Sequence, residues 1–153
     1  MLTDAINSLR EMGLERYEIS AFAKPGKESL HNTGYWEGID FHGVGPSAFS
    51  YIDGARFQNV CNMKAYEEKV LDGEDPRDFY EKLDPQKSAR ELLMTGIRML
   101  KGVEKDKFKL ALQGKESTIE TLVSDGYLIE TSSQLKLTEK GMLFYDDVAC
   151  ELI

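Results

Sequence analysis

The sequence predicts an α/β unit followed by a mostly helical, winged-helix-like domain of α+β type. A helix pattern, a short turn and a strand pattern follow one another over residues 3–23, which is the repeating unit of α/β sheets and barrels. Asp-Pro pairs then interrupt the chain at residues 75–76 and 84–85. After them come three helix patterns, a hairpin pattern and a closing helix. We therefore predict two domains, residues 1–75 and 76–153.

The first unit begins with an N-terminal helix over residues 3–12. Thr3 is a favoured capping residue for such a helix, and Gly13 favours its end. Residues 17–23 (YEISAFA) then predict a strand. Because one helix–strand unit cannot close a sheet, we expect a longer native chain that supplies the rest of an N-terminal barrel. An exposed barrel edge would also permit a dimer.

Residues 27–60 predict a long irregular stretch that is rich in glycine. It contains both histidines, His31 and His42, and the single tryptophan, Trp36. Long irregular segments in compact domains are usually functional, and aromatic rings beside imidazoles suit a flat ligand. The simpler alternative is that the aromatic residues anchor a loop and the histidines are ordinary surface residues.

The remaining elements are delimited by Asn, Asp-Pro and Gly residues. Helices are predicted at 63–72, 85–100, 104–112, 115–125 and from about 139 onward, with hairpin strands at 127–131 and 134–138. Helical spacing of apolar residues predicts which side chains face the core. The predicted inward-facing residues are Ala89, Leu92, Leu93, Gly96, Ile97, Leu100, Phe108, Leu112, Ile119, Leu122, Val123, Tyr145, Val148, Ala149 and Leu152.

The composition and charge of the chain disfavour several classes of protein. The chain of 153 residues carries a net charge of −8, which disfavours binding to nucleic acid. No apolar run is long enough for a membrane span and no signal peptide is visible, so we expect a cytoplasmic protein. Cys61 and Cys150 lack the spacing of a metal-binding cluster, and we expect reduced thiols.

A winged-helix pattern raises the alternative of an independent DNA-binding or adaptor module. In such modules the third helix enters the major groove and needs basic residues. Here the third helix carries one basic residue, Lys115, and three acidic ones, Glu116, Glu120 and Asp125. We therefore expect a packing or protein-contact role for it, and no bound nucleic acid.

Several motifs occur in the order found in a known family. They are residues 17–26 (YEISAFAKPG), His31-Asn32-x-x-Tyr35-Trp36, residues 43–50 (GVGPSAFS), Arg56-x-x-Asn59, Gly96-Ile97-Arg98 and residues 137–141 (LTEKG). Together they resemble the C-terminal half of the radical SAM, oxygen-independent coproporphyrinogen III oxidase-like family. The HNxxYW motif is similar to that of the HemW-like heme-chaperone branch.

The resemblance implies a fold, a set of cofactors and a separate role for each of the two predicted domains. Residues 1–75 are expected to form the last helix–strand unit of a partial (β/α) radical SAM barrel, and residues 76–153 a winged-helix-like lid. The full-length family binds S-adenosylmethionine and a [4Fe–4S] cluster through a CxxxCxxC motif. This chain lacks the motif, so we expect a C-terminal fragment that is inactive alone and holds neither cofactor by itself.

The resemblance also assigns roles to individual residues, with no catalytic residue and no resident metal among them. His31 is implied as a heme contact, and Arg56 as a partner for a porphyrin propionate, or else for a carboxylate of the protein itself. The remaining implied contacts to heme, another tetrapyrrole or S-adenosylmethionine are Asn32, Tyr35, Trp36, Gly43, Gly45 and Phe49. A non-catalytic small-molecule binder that uses the same aromatic segment is the third alternative.

Overall fold

The computed structural model describes residues 2–153 and divides into two compact units. The helical unit comprises the residues up to Gly38 together with Ala89–Ile153. The sheet unit comprises Ile39–Ser88. This division follows compactness, and the domain boundary between residues 75 and 76 stays a prediction.

The helical unit begins with α1 (Leu2–Glu11), which confirms the N-terminal helix. The prediction of a single strand over residues 17–23 is wrong. In its place β1 (Glu15–Arg16) and β2 (Phe22–Ala23) pair antiparallel around a tight reversal. The reason is local hydrogen bonding, since the Arg16 side chain donates to the carbonyl oxygen of Ile19 and the Tyr17 amide donates to that of Ala21.

The expectation of an irregular stretch over residues 27–60 is also wrong, because it contains helix α2 (Leu30–Glu37) and two strands. Ser29 caps α2 by accepting a hydrogen bond from the Asn32 amide at 3.3 Å. Gly38 ends the helix in the left-handed conformation, with a φ of 69°. The HNxxYW motif therefore lies on a helix.

The rest of the helical unit follows the predicted order of elements. They are α4 (Pro85–Gly96, whose first turn lies in the sheet unit), β6 (Val103–Glu104), α5 (Lys109–Leu112), α6 (Glu116–Ser124), β7 (Leu128–Glu130), β8 (Gln134–Leu137), α7 (Glu139–Leu143) and α8 (Tyr145–Leu152). The hairpin is confirmed, with β8 central in an antiparallel sheet of order β6-β8-β7. Three details differ. Helix α4 ends at Gly96 and not at residue 100, residues 104–112 contain the end of β6 and a single-turn helix, and the closing helix is interrupted at Phe144.

One apolar core holds the helical unit together. Buried side chains from α4 to α8, from the residues just after α4 and just before α5, and from the three-stranded sheet form it, and on the helices they follow the predicted helical spacing. Its members are Leu93, Ile97, Val103, Phe108, Ala111, Leu112, Ile119, Leu122, Leu128, Leu135, Leu137, Met142, Val148 and Leu152. Of the other predicted inward residues, Gly96 and Ala149 are buried and Ala89, Leu92, Leu100, Val123 and Tyr145 are partly buried.

The sheet unit is a three-stranded antiparallel sheet with one helix. Its elements are β3 (Phe49–Ile52), β4 (Ala55–Asn59), α3 (Met63–Leu71) and β5 (Arg77–Lys82), and the strand order is β3-β4-β5. Helix α3 confirms the prediction at 63–72. Strand β5 was not predicted, because its sequence RDFYEK is mostly exposed and lacks apolar alternation. No helix in the described part of the chain is both long and apolar enough to cross a bilayer.

Candidate functional site

Helix α2 presents the two most distinctive candidate residues to solvent. His31 is exposed in the first turn of the helix, and Tyr35 follows one turn later with 38% of its surface exposed. The two rings meet edge to face with their centroids 4.6 Å apart. The Asn32 side chain is exposed as well, while its backbone amide binds Ser29. The structure thus brings an imidazole and a phenol together on one helix surface.

Trp36 faces a different environment from its neighbours on α2. It is partly buried, and the guanidinium carbon of Arg98 lies 4.5 Å from the centroid of its ring. The same guanidinium lies 4.9 Å from the Tyr145 ring. Burial raises the pKa of Tyr145, so its neutral hydroxyl donates a hydrogen bond to the Met94 carbonyl at 2.9 Å. Trp36 therefore attaches α2 to the core of the helical unit.

In the sheet unit, the glycine-rich turn is held by buried polar side chains. The Gly43 amide donates to Ser50 Oγ at 2.9 Å, and the Gly45 amide donates to the Tyr66 hydroxyl at 3.2 Å. Asn59 Nδ2 donates to the Gly45 carbonyl at 2.9 Å. Both glycine amides are thus used within the sheet unit, and the ligand-binding role of the turn stays a prediction.

Phe49 and Arg56 lie on adjacent strands of the same sheet. The Phe49 ring is 49% exposed and meets Phe79 edge to face at 6.3 Å. The guanidinium of Arg56 binds the Glu81 carboxylate across β4 and β5, with Nε 2.7 Å from Oε2. The protein carboxylate considered as an alternative partner for Arg56 is therefore present, and the propionate stays a prediction.

The structure groups the eight candidate residues by unit. His31, Asn32, Tyr35 and Trp36 share α2 in the helical unit, whereas Gly43, Gly45, Phe49 and Arg56 belong to the sheet unit. The sequence predicts no role in the site for Arg98, Tyr145 or Asn59, although Arg98 and Tyr145 hold Trp36 in place and Asn59 holds the glycine-rich turn. A signal existed for Arg98 and Asn59, because both belong to the motifs that carry the family resemblance.

The two cysteines of this chain are too few to hold an iron–sulfur cluster by themselves. A cluster needs three thiolates from one site, whereas the chain has two cysteines, Cys61 and Cys150, exposed and in different units. The described residues include no cluster of three or more metal-ligating side chains. His31 is an exposed imidazole beside the Tyr35 ring, and its role as a heme contact stays a prediction.

Comparisons with known proteins place the chain in the expected family. Residues 83–144 match the HemN C-terminal domain family. The chain is 32% identical to the heme chaperone HemW of Bacillus subtilis over 94% of its own length and 39% of that protein. It is 28% identical to the mitochondrial radical S-adenosyl methionine domain-containing protein 1 of Dictyostelium discoideum, over 93% of this chain and 38% of that one.

A solved structure supports the same relationship at the level of the fold. The coproporphyrinogen III oxidase HemN of Escherichia coli, described as a radical SAM enzyme, matches 99% of this chain and 39% of its own with a TM-score of 0.76 at 18% identity. The fold and motifs thus define a HemN-type C-terminal region. The chain is a homologue of the HemW heme chaperones, and its residues 83–144 belong to the HemN C-terminal domain family. It spans about two fifths of the length of these relatives.

The glycine turn provides a matched pair of substitutions. Asn59→Ala removes a side chain that is only 5% exposed and leaves the Gly45 carbonyl with only the longer hydrogen bond from the Ala48 amide at 3.4 Å, which is expected to cost about 1–2 kcal/mol of stability. Gln58 donates to the nearby Ser47 carbonyl but is partly exposed, so Gln58→Ala is expected to cost under about 0.5 kcal/mol. Hydrogen exchange of the β3 and β4 amides measures both effects. Equal losses would contradict this description of the turn.

Proposed function

We propose that this chain is the tetrapyrrole-binding C-terminal part of a HemW-like protein, and that helix α2 presents His31 to heme. The observation that carries the proposal is the geometry of α2. Its exposed side bears an imidazole and a phenol in contact, and Trp36 on the same helix packs against Arg98. The relatives named heme chaperone HemW make heme the favoured flat ligand.

Each side chain on α2 has a separate task in this proposal. An imidazole nitrogen of His31 would bind the heme iron, since histidine is a common ligand of heme iron. Tyr35 contacts the face of the porphyrin with its ring, and Asn32 lies beside it as a hydrogen-bonding group. Trp36 holds the helix in place without touching iron.

The sheet unit supplies the second group of proposed contacts. Phe49 offers an exposed ring for a planar ligand, and the partly exposed Arg56–Glu81 pair can exchange Glu81 for a porphyrin propionate. Gly43 and Gly45 are proposed to let the ligand approach the backbone closely, because they carry no side chain. These residues are proposed for the tetrapyrrole or for S-adenosylmethionine bound in a full-length protein.

We further propose how the chain fits into such a protein. Residues 1–75 are the last part of a partial (β/α) barrel, and residues 76–153 are a winged-helix-like lid, which the helices α4–α6 and the β7–β8 hairpin support. The chain alone performs no radical chemistry, because the cluster cysteines are supplied elsewhere. The exposed side of α6 carries Glu116 and Glu120 and no basic residue, so nucleic acid is not the proposed partner.

The two histidines of the chain supply the test and its control. Titration of the 153-residue chain with heme, followed by the Soret band, is expected to show binding that His31→Ala weakens at least about tenfold through loss of the axial ligand. His42 is also exposed but belongs to the sheet unit, and His42→Ala is expected to bind within about twofold of the unsubstituted chain. An unchanged Soret titration for His31→Ala would refute the proposed ligand.

A further inference from the structure

We infer that Arg98 is a positioning residue for the heme site: it fixes helix α2, and through α2 the location of His31. The inference rests on the proposed function for its link to heme. Its structural half concerns only the helical unit, to which Arg98, α2 and their contacts all belong.

The first step is that α2 buries few of its own side chains, although its C-terminal end packs closely against α4, where a methyl group added to Gly38 would overlap Leu92 Cδ2. None of its residues is fully buried, and its sequence LHNTGYWE has no continuous apolar face. Helices of this length are not stable by themselves in water, so tertiary contacts must hold α2 in place. The ion pair between Glu37 and Lys101 is exposed, and such surface pairs contribute little. The Trp36 contact is therefore the main candidate for fixing the helix.

The second step is that Arg98 is itself firmly placed. It lies in the turn directly after α4, where its amide donates to the Thr95 carbonyl at 3.3 Å. The preceding residue, Ile97, is completely buried in the core. The guanidinium contacts the rings of Trp36 and Tyr145, so its planar group is held by aromatic side chains from α2 and α8.

The third step is the charge that accompanies Arg98. The Glu18 carboxylate is only 2% exposed, and its Oε2 lies 3.6 Å from an Arg98 terminal nitrogen. Its other oxygen accepts hydrogen bonds from the Ser20 amide at 3.0 Å and the Ser20 hydroxyl at 2.8 Å. A buried carboxylate requires a positive partner, and Arg98 is the cation that meets it. Arg98 thus links a buried charge, the core and α2.

The indole of Trp36 gives a direct readout, because it is the only tryptophan in the chain. Arg98→Gln removes the cation beside the ring. We expect its fluorescence to shift to the red and acrylamide quenching to increase, and we expect the α2 amides to exchange faster with solvent. Arg98→Lys keeps the charge beside Glu18 but loses the planar contact, so it is expected to fold and to show the same changes in weaker form.

Lys101→Gln is the matched control, since Lys101 also contacts α2 but through the exposed Glu37. Its fluorescence and exchange are expected to equal those of the unsubstituted chain. In heme titrations with His31 intact, Arg98→Gln is expected to weaken binding about fivefold, Arg98→Lys to weaken it less, and Lys101→Gln to leave it unchanged.

The outcomes separate the inference from the proposed function. A folded Arg98→Lys variant with unchanged Trp36 quenching and α2 exchange would overturn the inference, and so would loosened α2 with unaltered heme affinity. If the unsubstituted chain binds no heme at all, the proposed function fails. Quenching and exchange then still decide whether Arg98 fixes α2.

Discussion

Gly141→Ala is expected to lower the free energy of unfolding of the helical unit by about 2–3 kcal/mol. Gly141 lies within α7, where alanine normally stabilises a helix relative to glycine by about 1 kcal/mol. Here the added methyl group would overlap the Tyr127 carbonyl oxygen, lie 3.0 Å from the carbonyl carbon and lie 3.1 Å from a methyl group of Leu137. The steric cost exceeds the gain in helix propensity.

The obstacle at Gly141 is backbone that cannot move easily. The Tyr127 carbonyl accepts a hydrogen bond from the Thr138 amide at 2.9 Å, next to the β7–β8 hairpin. Thr138 also caps α7, because its hydroxyl accepts from the Gly141 amide at 2.9 Å. Moving α7 away from Tyr127 would disturb both hydrogen bonds, so relaxation recovers only part of the lost stability.

A glycine elsewhere in the helical unit provides the control. At Gly114 a new methyl group meets no atom within 4 Å, and only its φ of 77° opposes alanine. Gly114→Ala is therefore expected to cost about 1–2 kcal/mol, the usual strain of the left-handed region. Urea unfolding followed by Trp36 fluorescence compares the two variants. A Gly141→Ala chain as stable as the unsubstituted one would show that α7 does not pack as described.

The C-terminal part of the fold was predictable because its elements bury regular apolar faces. Leu93 on α4 and Ile97 directly after it follow helical spacing and are buried, and Gly126 marks the end of α6. Helix α2 was not predictable in the same way. Asn32, Thr33 and Gly34 are poor helix formers, and the capping by Ser29 and Gly38 that compensates for them involves single residues.

The candidate site, like the fold, was predictable only in part. His31 and Trp36 were visible in the sequence because each belongs to a short motif made of rare residue types. Arg98 also belongs to one of the motifs, but nothing in its neighbourhood in sequence indicates that two aromatic rings from distant elements contact it. Its role depends on contacts with Glu18, Trp36 and Tyr145, which only the folded chain brings together.

Leu93→Ala is expected to cost the helical unit about 3 kcal/mol, within the usual range for a buried leucine that is cut back to alanine. Leu93 is 1% exposed on α4 and belongs to the apolar core. The loss combines the transfer free energy of the removed methyl groups with the cavity that remains, and rigid neighbours such as Ile97 limit how far that cavity can close.

Leu110→Ala is the matched control, because it makes the same chemical change on a helix of the same unit. Leu110 is 43% exposed, so the substitution is expected to cost under about 1 kcal/mol. Urea titrations are expected to give equal slopes for both variants and a lower midpoint for Leu93→Ala alone. Similar midpoints would mean that α4 does not pack against the core through Leu93. Helix α4, which directly precedes Arg98, would then not be fixed in the core, and Arg98 could not fix the position of α2.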